Sequence, residues 1–215
     1  MTTQPEFIGQ LAQLNLRLND DKIVQLQAYL ALIQKWNKVY NLTAVRDPLD
    51  MVTHHLLDTL AAIAPLNRHL AQAGLGSSAS LLDVGSGAGL PGVVMAICCP
   101  NLAVTCVDTV AKKATFIKQV ALELKLPNLT GLHARVESIV TPFDVICSRA
   151  FASLSDFTQW SKGALAPTGV WMAMKGKHPA DELAALPASV VVFHVEQLQV
   201  PGLDAERCVV WMQKK

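Results

Sequence analysis

The chain is poor in charge. Only 16% of its 215 residues are Asp, Glu, Lys or Arg, against about 25% in ordinary soluble domains. With 51% apolar residues, it has ample material for a core and is no disordered segment. The net charge of +1 excludes a global polycation for nucleic acid, though not a local patch. A long apolar run is also missing. A spanning helix needs about 20 mostly apolar residues. The best candidate, Gly87 to Pro100, is too short and is broken by Gly89, Pro91 and Gly92. The start, Met1-Thr2-Thr3-Gln4-Pro5-Glu6, has neither a basic lead nor an apolar signal core. A soluble, cytoplasmic protein with no membrane partner is expected. The five cysteines (Cys98, Cys99, Cys106, Cys147, Cys208) contain no C-x-x-C pair. Buried reduced thiols are expected, and a zinc site is not.

What charge there is falls unevenly. Residues 112–177 hold nine basic and four acidic residues, whereas both flanking parts are net acidic. Blocks of one sign can mark an interaction face.

The first part of the chain reads as helical. Ile23, Leu26, Leu30 and Ile33 recur at three- and four-residue steps, with Asp20 or Asp21 placed to cap. Met51, His55, Asp58 and the run Leu56 to Ile63 predict another helix, opened near Pro48 and closed at Pro65. Between them, Trp36 to Thr43 reads as too polar and too short for a core element. Gly74 to Ser78 is loop chemistry and marks a seam. This divides the chain into a helical extension, 1–73, and a second unit, 74–215.

After the seam, short apolar runs alternate with helical spacing. Strands are predicted at Ser80–Val84, Ala103–Val107, Leu129–Ala134, Phe143–Cys147 and Val170–Met174. That alternation implies an α/β fold with a parallel sheet. Val190–Val195 and Cys208–Met212 have only a short connection and predict a hairpin at the sheet edge.

The main feature is Asp83-Val84-Gly85-Ser86-Gly87-Ala88-Gly89-Leu90-Pro91-Gly92, between a strand and a helix. Glycine lets the backbone turn sharply and approach a ligand, and Pro91 suits a first helical turn. Gly87, Gly89 and Gly92 satisfy G-x-G-x-x-G, with Asp108 21 residues after Gly87, so a nicotinamide dinucleotide passes the pattern test. S-adenosylmethionine (SAM) passes another: an acidic residue, then Gly85-x-Gly87-x-Gly89. Asp83 could help to hold a methionine amino group, and Asp108 both ribose hydroxyls. Room decides between them. Only 107 residues follow Asp108, too few for a hydride-acceptor domain, and the layout resembles a single-domain SAM-dependent methyltransferase. That resemblance implies a Rossmann-like, mostly parallel seven-stranded sheet with an antiparallel last strand.

The segment Phe143 to Phe151 follows the fourth strand, where the methyl acceptor is met. Methyltransferases of exocyclic amines resemble one another in an Asn/Asp-Pro-Pro-aromatic loop there, and cytosine-C5 enzymes in a Pro-Cys nucleophile. The chain has neither. A guanine N7 acceptor fits what remains. Its lone pair carries no proton, so transfer needs in-line positioning rather than a general base.

Trp36-Asn37-Lys38-x-Tyr40-Asn41-Leu42-Thr43, Arg46-Asp47-Pro48, His55-x-x-Asp58, the loop Gly85 to Gly92, Arg135-Val136-Glu137 and Ser148-Arg149-Ala150-Phe151 together resemble the bacterial RsmG (GidB) family. The likeness runs from about Leu30 to Lys177. It implies a class I SAM-dependent methyltransferase with an N-terminal helical extension, acting on guanine N7 of 16S ribosomal RNA and releasing S-adenosylhomocysteine. It implies cofactor contacts at Gly85, Leu90, Val136, Glu137 and Arg149; the loop argument adds Gly87, Gly89 and Asp108. No residue is assigned as a general base. A methyltransferase of a small molecule or a protein, and a non-catalytic SAM- or nucleotide-sensing module, are the alternatives.

Arg149 could serve the cofactor or the guanine, or form an ion pair with Asp144 or Asp156. Glu137 could meet the adenosine or be a solvated acid. His54 and Asp58 share a helix face but lack a third metal ligand, and helix packing is expected of them. Trp36 and Tyr40 could stack bases or belong to the core. Lys38, Asn41, Arg46, Lys175 and Lys177 are candidate substrate contacts, and Lys35, Lys112 and Lys113 could also grip phosphates. RNA binding that weakens steeply with salt, by a monomer, is expected.

Overall fold

The computed structural model describes residues 4–76 and 78–215. Met1–Thr3 of the N-terminal stretch and Ser77 of the predicted loop lie outside them.

The N-terminal helices are α1 (Gln4–Gln13) and α2 (Asp20–Tyr40), then α3 (Pro48–Met51), a π-helical turn at Val52–Leu57, α4 (Asp58–Leu60) and α5 (Ile63–Gln72). The cap of α2 is Asn19, whose side chain accepts from Lys22 N; Asp20 and Asp21 lie in the first turn instead, where their charge suits the helix dipole. Ile23, Leu26, Tyr29, Leu30 and Ile33 form its buried stripe. Trp36–Tyr40 is not a separate linker but continues the helix, with Lys38, Val39 and Tyr40 exposed. It is the last turn of α2, with Asn37 buried, and Leu42 just beyond is buried as well. Asn41, in the left-handed region at φ 49°, ends the helix and donates its N–H to the Asn37 carbonyl. Pro65 does not close a helix. It lies in the first turn of α5, where its missing N–H is not needed.

The remaining elements build one seven-stranded sheet. Its strands are β1 (Ser80–Val84), β2 (Ala103–Asp108), β3 (Leu129–His133), β4 (Phe143–Arg149), β5 (Leu165–Lys175), β6 (Val190–Leu198) and β7 (Arg207–Lys214). Helices α6 (Gly92–Cys98), α7 (Ala111–Glu123), α8 (Leu154–Ser161) and α9 (Ala180–Ala184) connect them. The order is β3-β2-β1-β4-β5-β7-β6. Strands β1 to β5 pair in parallel, and β7 runs antiparallel to both β5 and β6. The predicted hairpin is therefore at the edge, with its second strand inserted against β5.

Period-2 alternation feeds two buried clusters, one on each face. Leu81, Val104, Cys106, Val145, Met172 and Trp211 belong to one, together with α1, α2, α6 and α7 residues. Leu82, Val107, Ile146, Trp171, Val210 and Met212 belong to the other, with Leu154 and Phe157 of α8. Burial on both faces explains why these strands read as continuous apolar runs. All five cysteines are free. Burial pushes the Cys98 thiol up to about 12, so it is protonated at neutral pH.

This order places the switch point between β1 and β4, the crevice where ligands bind in open α/β sheets. Gly85, Asp108, Arg149 and Lys175 all stand at the carboxyl ends of parallel strands. Because β7 is antiparallel, its first residues reach the same edge: Lys175 pairs with Cys208, and Arg207 stands next to it.

Candidate active site

Two cavities open at this edge and meet at Gly85 and Ala150. The larger, about 710 Å³, is walled by the Leu42–Arg46 segment, the π turn, the glycine loop, Arg149 and Arg207. The smaller, about 470 Å³, is lined by Asp108, Val136, Glu137, Phe151 and Trp160 among others.

The glycine loop is fixed from both sides. Gly89 N donates to the Ser86 carbonyl at 2.7 Å. The Ala88 carbonyl accepts from the buried Tyr29 hydroxyl at 2.7 Å, so the peptide plane between Ala88 and Gly89 is held at both ends. Asp108 Oδ2 accepts from Gly87 N at 3.0 Å, and its Oδ1 from Val110 N at 2.8 Å. At Gly87, φ is +58° and an added Cβ would meet nothing nearer than the Gly85 carbonyl, 4.0 Å away. Its backbone thus faces open space, as a nucleotide cradle requires. Gly85, φ +68°, lies so close under the Phe151 ring that a Cβ would clash with it. Ala150, between the two cavities, also holds a positive φ, 53°.

The structure brings Gly85, Gly87, Leu90, Asp108, Val136, Glu137 and Arg149 onto the two cavities. Gly89 is different: its Cβ position points at Val93 and the Tyr29 hydroxyl, so it serves packing beneath the loop. Asp83 does not reach a ligand amino group. It is fully buried, its Oδ2 accepts from Gly92 N at 2.9 Å, and Cys106 Sγ is 3.8 Å away. Its Oδ1 has no partner among the described residues, and desolvation raises its pKa to about 7.

Arg149 pairs with neither Asp144 nor Asp156. Its Nη1 donates to Asp58 Oδ2 at 2.9 Å and to the His54 carbonyl at 2.7 Å. The other Asp58 oxygen accepts from Arg207 Nε at 2.8 Å. One buried carboxylate therefore balances two guanidinium groups on the cavity wall. His55, in the π turn, reaches Thr43 Oγ1 at 2.9 Å. No group of three or more His, Cys, Asp or Glu side chains among the described residues is placed to hold a metal.

Of the candidate substrate contacts, Arg46 lines the larger cavity and donates to Asn41 Oδ1 at 3.3 Å. Lys175 also lines it, but its ammonium is held by Glu182 at 2.8 Å and by the Ala152 carbonyl at 3.0 Å, so it offers no free charge. Lys38 and Lys177 are exposed and outside the cavity lining. Lys113 turns toward Asp108, 3.8 Å away. Trp36 packs on Phe116 and Tyr40, with ring centroids 5.3 and 5.2 Å apart. Tyr40 is exposed, with the Lys112 ammonium 5.9 Å from its ring.

Sheet order, glycine loop and strand-end aspartate together define a class I, Rossmann-like methyltransferase fold. Solved structures agree on the fold. A SAM-dependent methyltransferase from Aquifex aeolicus superposes with a TM-score of 0.51 at 19% identity, covering 72% of this chain and 92% of that one. TrmN from Thermus thermophilus gives 0.51 at 21%, covering 73% and 53%. The model of the GidB family, rRNA small subunit methyltransferase G, matches residues 22–210, and the chain belongs to that family. The proteins named ribosomal RNA small subunit methyltransferase G from Polaromonas naphthalenivorans and Albidiferax ferrireducens are 71% and 65% identical to it. They cover 94% and 96% of this chain, over 92% and 95% of their own lengths.

Sequence reasoning names Thr43 and Asp58 only as motif residues, without these partners, and misses Arg207 and Tyr29 on the cavity and under the loop. Tyr29 lies on the predicted apolar stripe, and its hydroxyl gives no periodic signal. Arg207 is a single basic residue 149 positions from its partner Asp58, with no pattern to announce it.

Proposed function

We propose that the chain transfers a methyl group from SAM to N7 of a guanine in 16S ribosomal RNA, within the cytoplasm. The observation that carries this beyond family membership is the state of the larger cavity's buried ionisable groups. Asp58 is held by two arginines, and His55 by Thr43 and Arg149. Both side chains are engaged by hydrogen bonds that hold the wall in place, and an N7 lone pair carries no proton to remove, so positioning rather than a base is what this wall has to supply.

SAM, when bound, supplies an electrophilic methyl group on a sulfonium. In this reading Asp108 receives the ribose hydroxyls, and Val136 and Glu137 flank the adenosine in the smaller cavity. The backbone at Gly85, Gly87 and Leu90 faces the methionyl end. Arg149, held by Asp58, orients a carboxylate or the base. Arg46, Asn41, Lys38 and Lys177 are proposed to meet RNA at the rim. The division after residue 73 is also proposed, with the helices of 1–73 packed on the core. Its support is the buried cluster they share with one sheet face.

Mass spectrometry of digested 16S RNA from cells with and without the gene tests the reading. One 7-methylguanosine should be lost. An unchanged digest refutes it. Calorimetry with SAM and with NAD, where only SAM should bind, tests the cofactor separately.

A further inference from the structure

Thr43 stands half-buried on the wall of the larger cavity, and its hydroxyl has been left only one thing to offer. Arg149 Nη2 points at His55 Nδ1 from 3.5 Å. A guanidinium carries only N–H donors, so Nδ1 bears the lone pair and the ring proton sits on Nε2. That tautomer is assigned from the network. Burial, and then the Arg149 charge, lower the His55 pKa to about 4, so the ring is neutral at pH 7. Nε2–H then donates to Thr43 Oγ1 at 2.9 Å, and Val45 N–H donates to the same oxygen at 3.2 Å. A hydroxyl has two lone pairs and one proton. Both lone pairs are engaged, and the proton has no partner among the described residues.

We propose that the Thr43 hydroxyl donates to O6 of the target base and thereby selects guanine over adenine. This rests on the guanine-N7 reading above. Guanine presents N7 and O6 as neighbouring acceptors on one edge, whereas adenine sets an N6 amino donor beside N7. A base offering N7 to the methyl group also offers its 6-substituent to the same wall. With adenine, two donors would face each other and both would go unpaired. His55 is a positioning residue in this scheme, because it fixes the direction of the Thr43 proton.

The test uses small-subunit RNA carrying either guanine or 2-aminopurine at the mapped position. 2-Aminopurine keeps N7 and lacks O6. Thr43→Val should lower kcat/KM on guanine RNA about tenfold. On 2-aminopurine RNA it should act within about twofold of the wild type, because that bond is already missing. Thr43→Ser should retain the guanine rate. Calorimetry with SAM and thermal melts establish that each variant folds; Thr43→Ala replaces the valine variant if it does not. Equal losses on both RNAs, or no loss on guanine, overturn the proposal. A wild type that binds SAM yet leaves guanine RNA unmodified overturns the guanine-N7 reading itself, and this proposal with it.

Discussion

Replacing Asp58 with asparagine isolates the carboxylate that balances two arginines. The side chain is 4% exposed and accepts at 2.9 Å from Arg149 and at 2.8 Å from Arg207. Removing one partner of a buried ion pair costs about 3–5 kcal/mol, because the remaining charge stays buried without compensation. Here the two guanidinium side chains keep 19% and 23% of their exposure, so some water remains and the lower end, about 3 kcal/mol, applies. For a chain of this size each kcal/mol moves the melting temperature by roughly 2–4 °C. Asp58→Asn should therefore melt about 6–12 °C lower in scanning calorimetry at pH 7. The decisive control is Arg207→Ala in the same background. Removing one stranded cation should restore part of the loss, so the double variant should be more stable than additivity allows. A single variant that melts within about 2 °C of the wild type, or losses that simply add, would refute the view that Asp58 neutralises both groups.

Asp83 titrates in the opposite sense to a paired carboxylate. Its folded pKa, raised from 3.8 to about 7, means that the native state holds the proton more tightly, so stability falls as pH rises from about 4 to 7. Asp83→Asn should melt above the wild type at pH 8 and lose that slope, in melts compared at pH 5 and pH 8. His55, lowered from 6.5 to about 4, makes the unfolded chain bind more protons, so its contribution is lost as pH falls from about 6.5 to 4. In His55→Gln this acid-side loss should shrink, read from denaturant midpoints across the same range. Asp108→Ala should weaken SAM binding about tenfold or more in calorimetry, since charge-assisted bonds are the stronger kind. Unchanged affinity removes the ribose assignment.

The sheet and the glycine loop were legible because their signals are local. A buried parallel strand is a short apolar run, and a tight ligand loop needs glycine within a few residues of the strand end. Asp108 was found for the same reason, since the length of one βαβ turn fixes its spacing. For Gly89 and Asp83 the motif gives position in the loop but not the side on which each residue faces. Both look inward, toward α2 and α6. Trp36 to Thr43 leaves Lys38 to Asn41 exposed, but its first five residues continue α2 and Asn37 is buried with its Oδ1 accepting from Thr43 N at 3.0 Å; composition alone cannot show a satisfied polar group. Arg207 was invisible because its place depends on β7 running backward beside β5, a matter of tertiary topology.

Helix α2 touches the site twice. Near its middle, Tyr29 holds the Ala88 carbonyl of the loop; at its end, Asn41 opens into the Leu42–Arg46 wall. The glycine loop and the Leu42–Arg46 wall are therefore mounted on one 21-residue helix. Two ligands that press on one rigid part are bound by thermodynamic reciprocity. If RNA shifts that wall and changes SAM affinity by some factor, SAM must change RNA affinity by the same factor. The same relation would tie the affinity for modified RNA to that for the demethylated product, by whatever factor the two share.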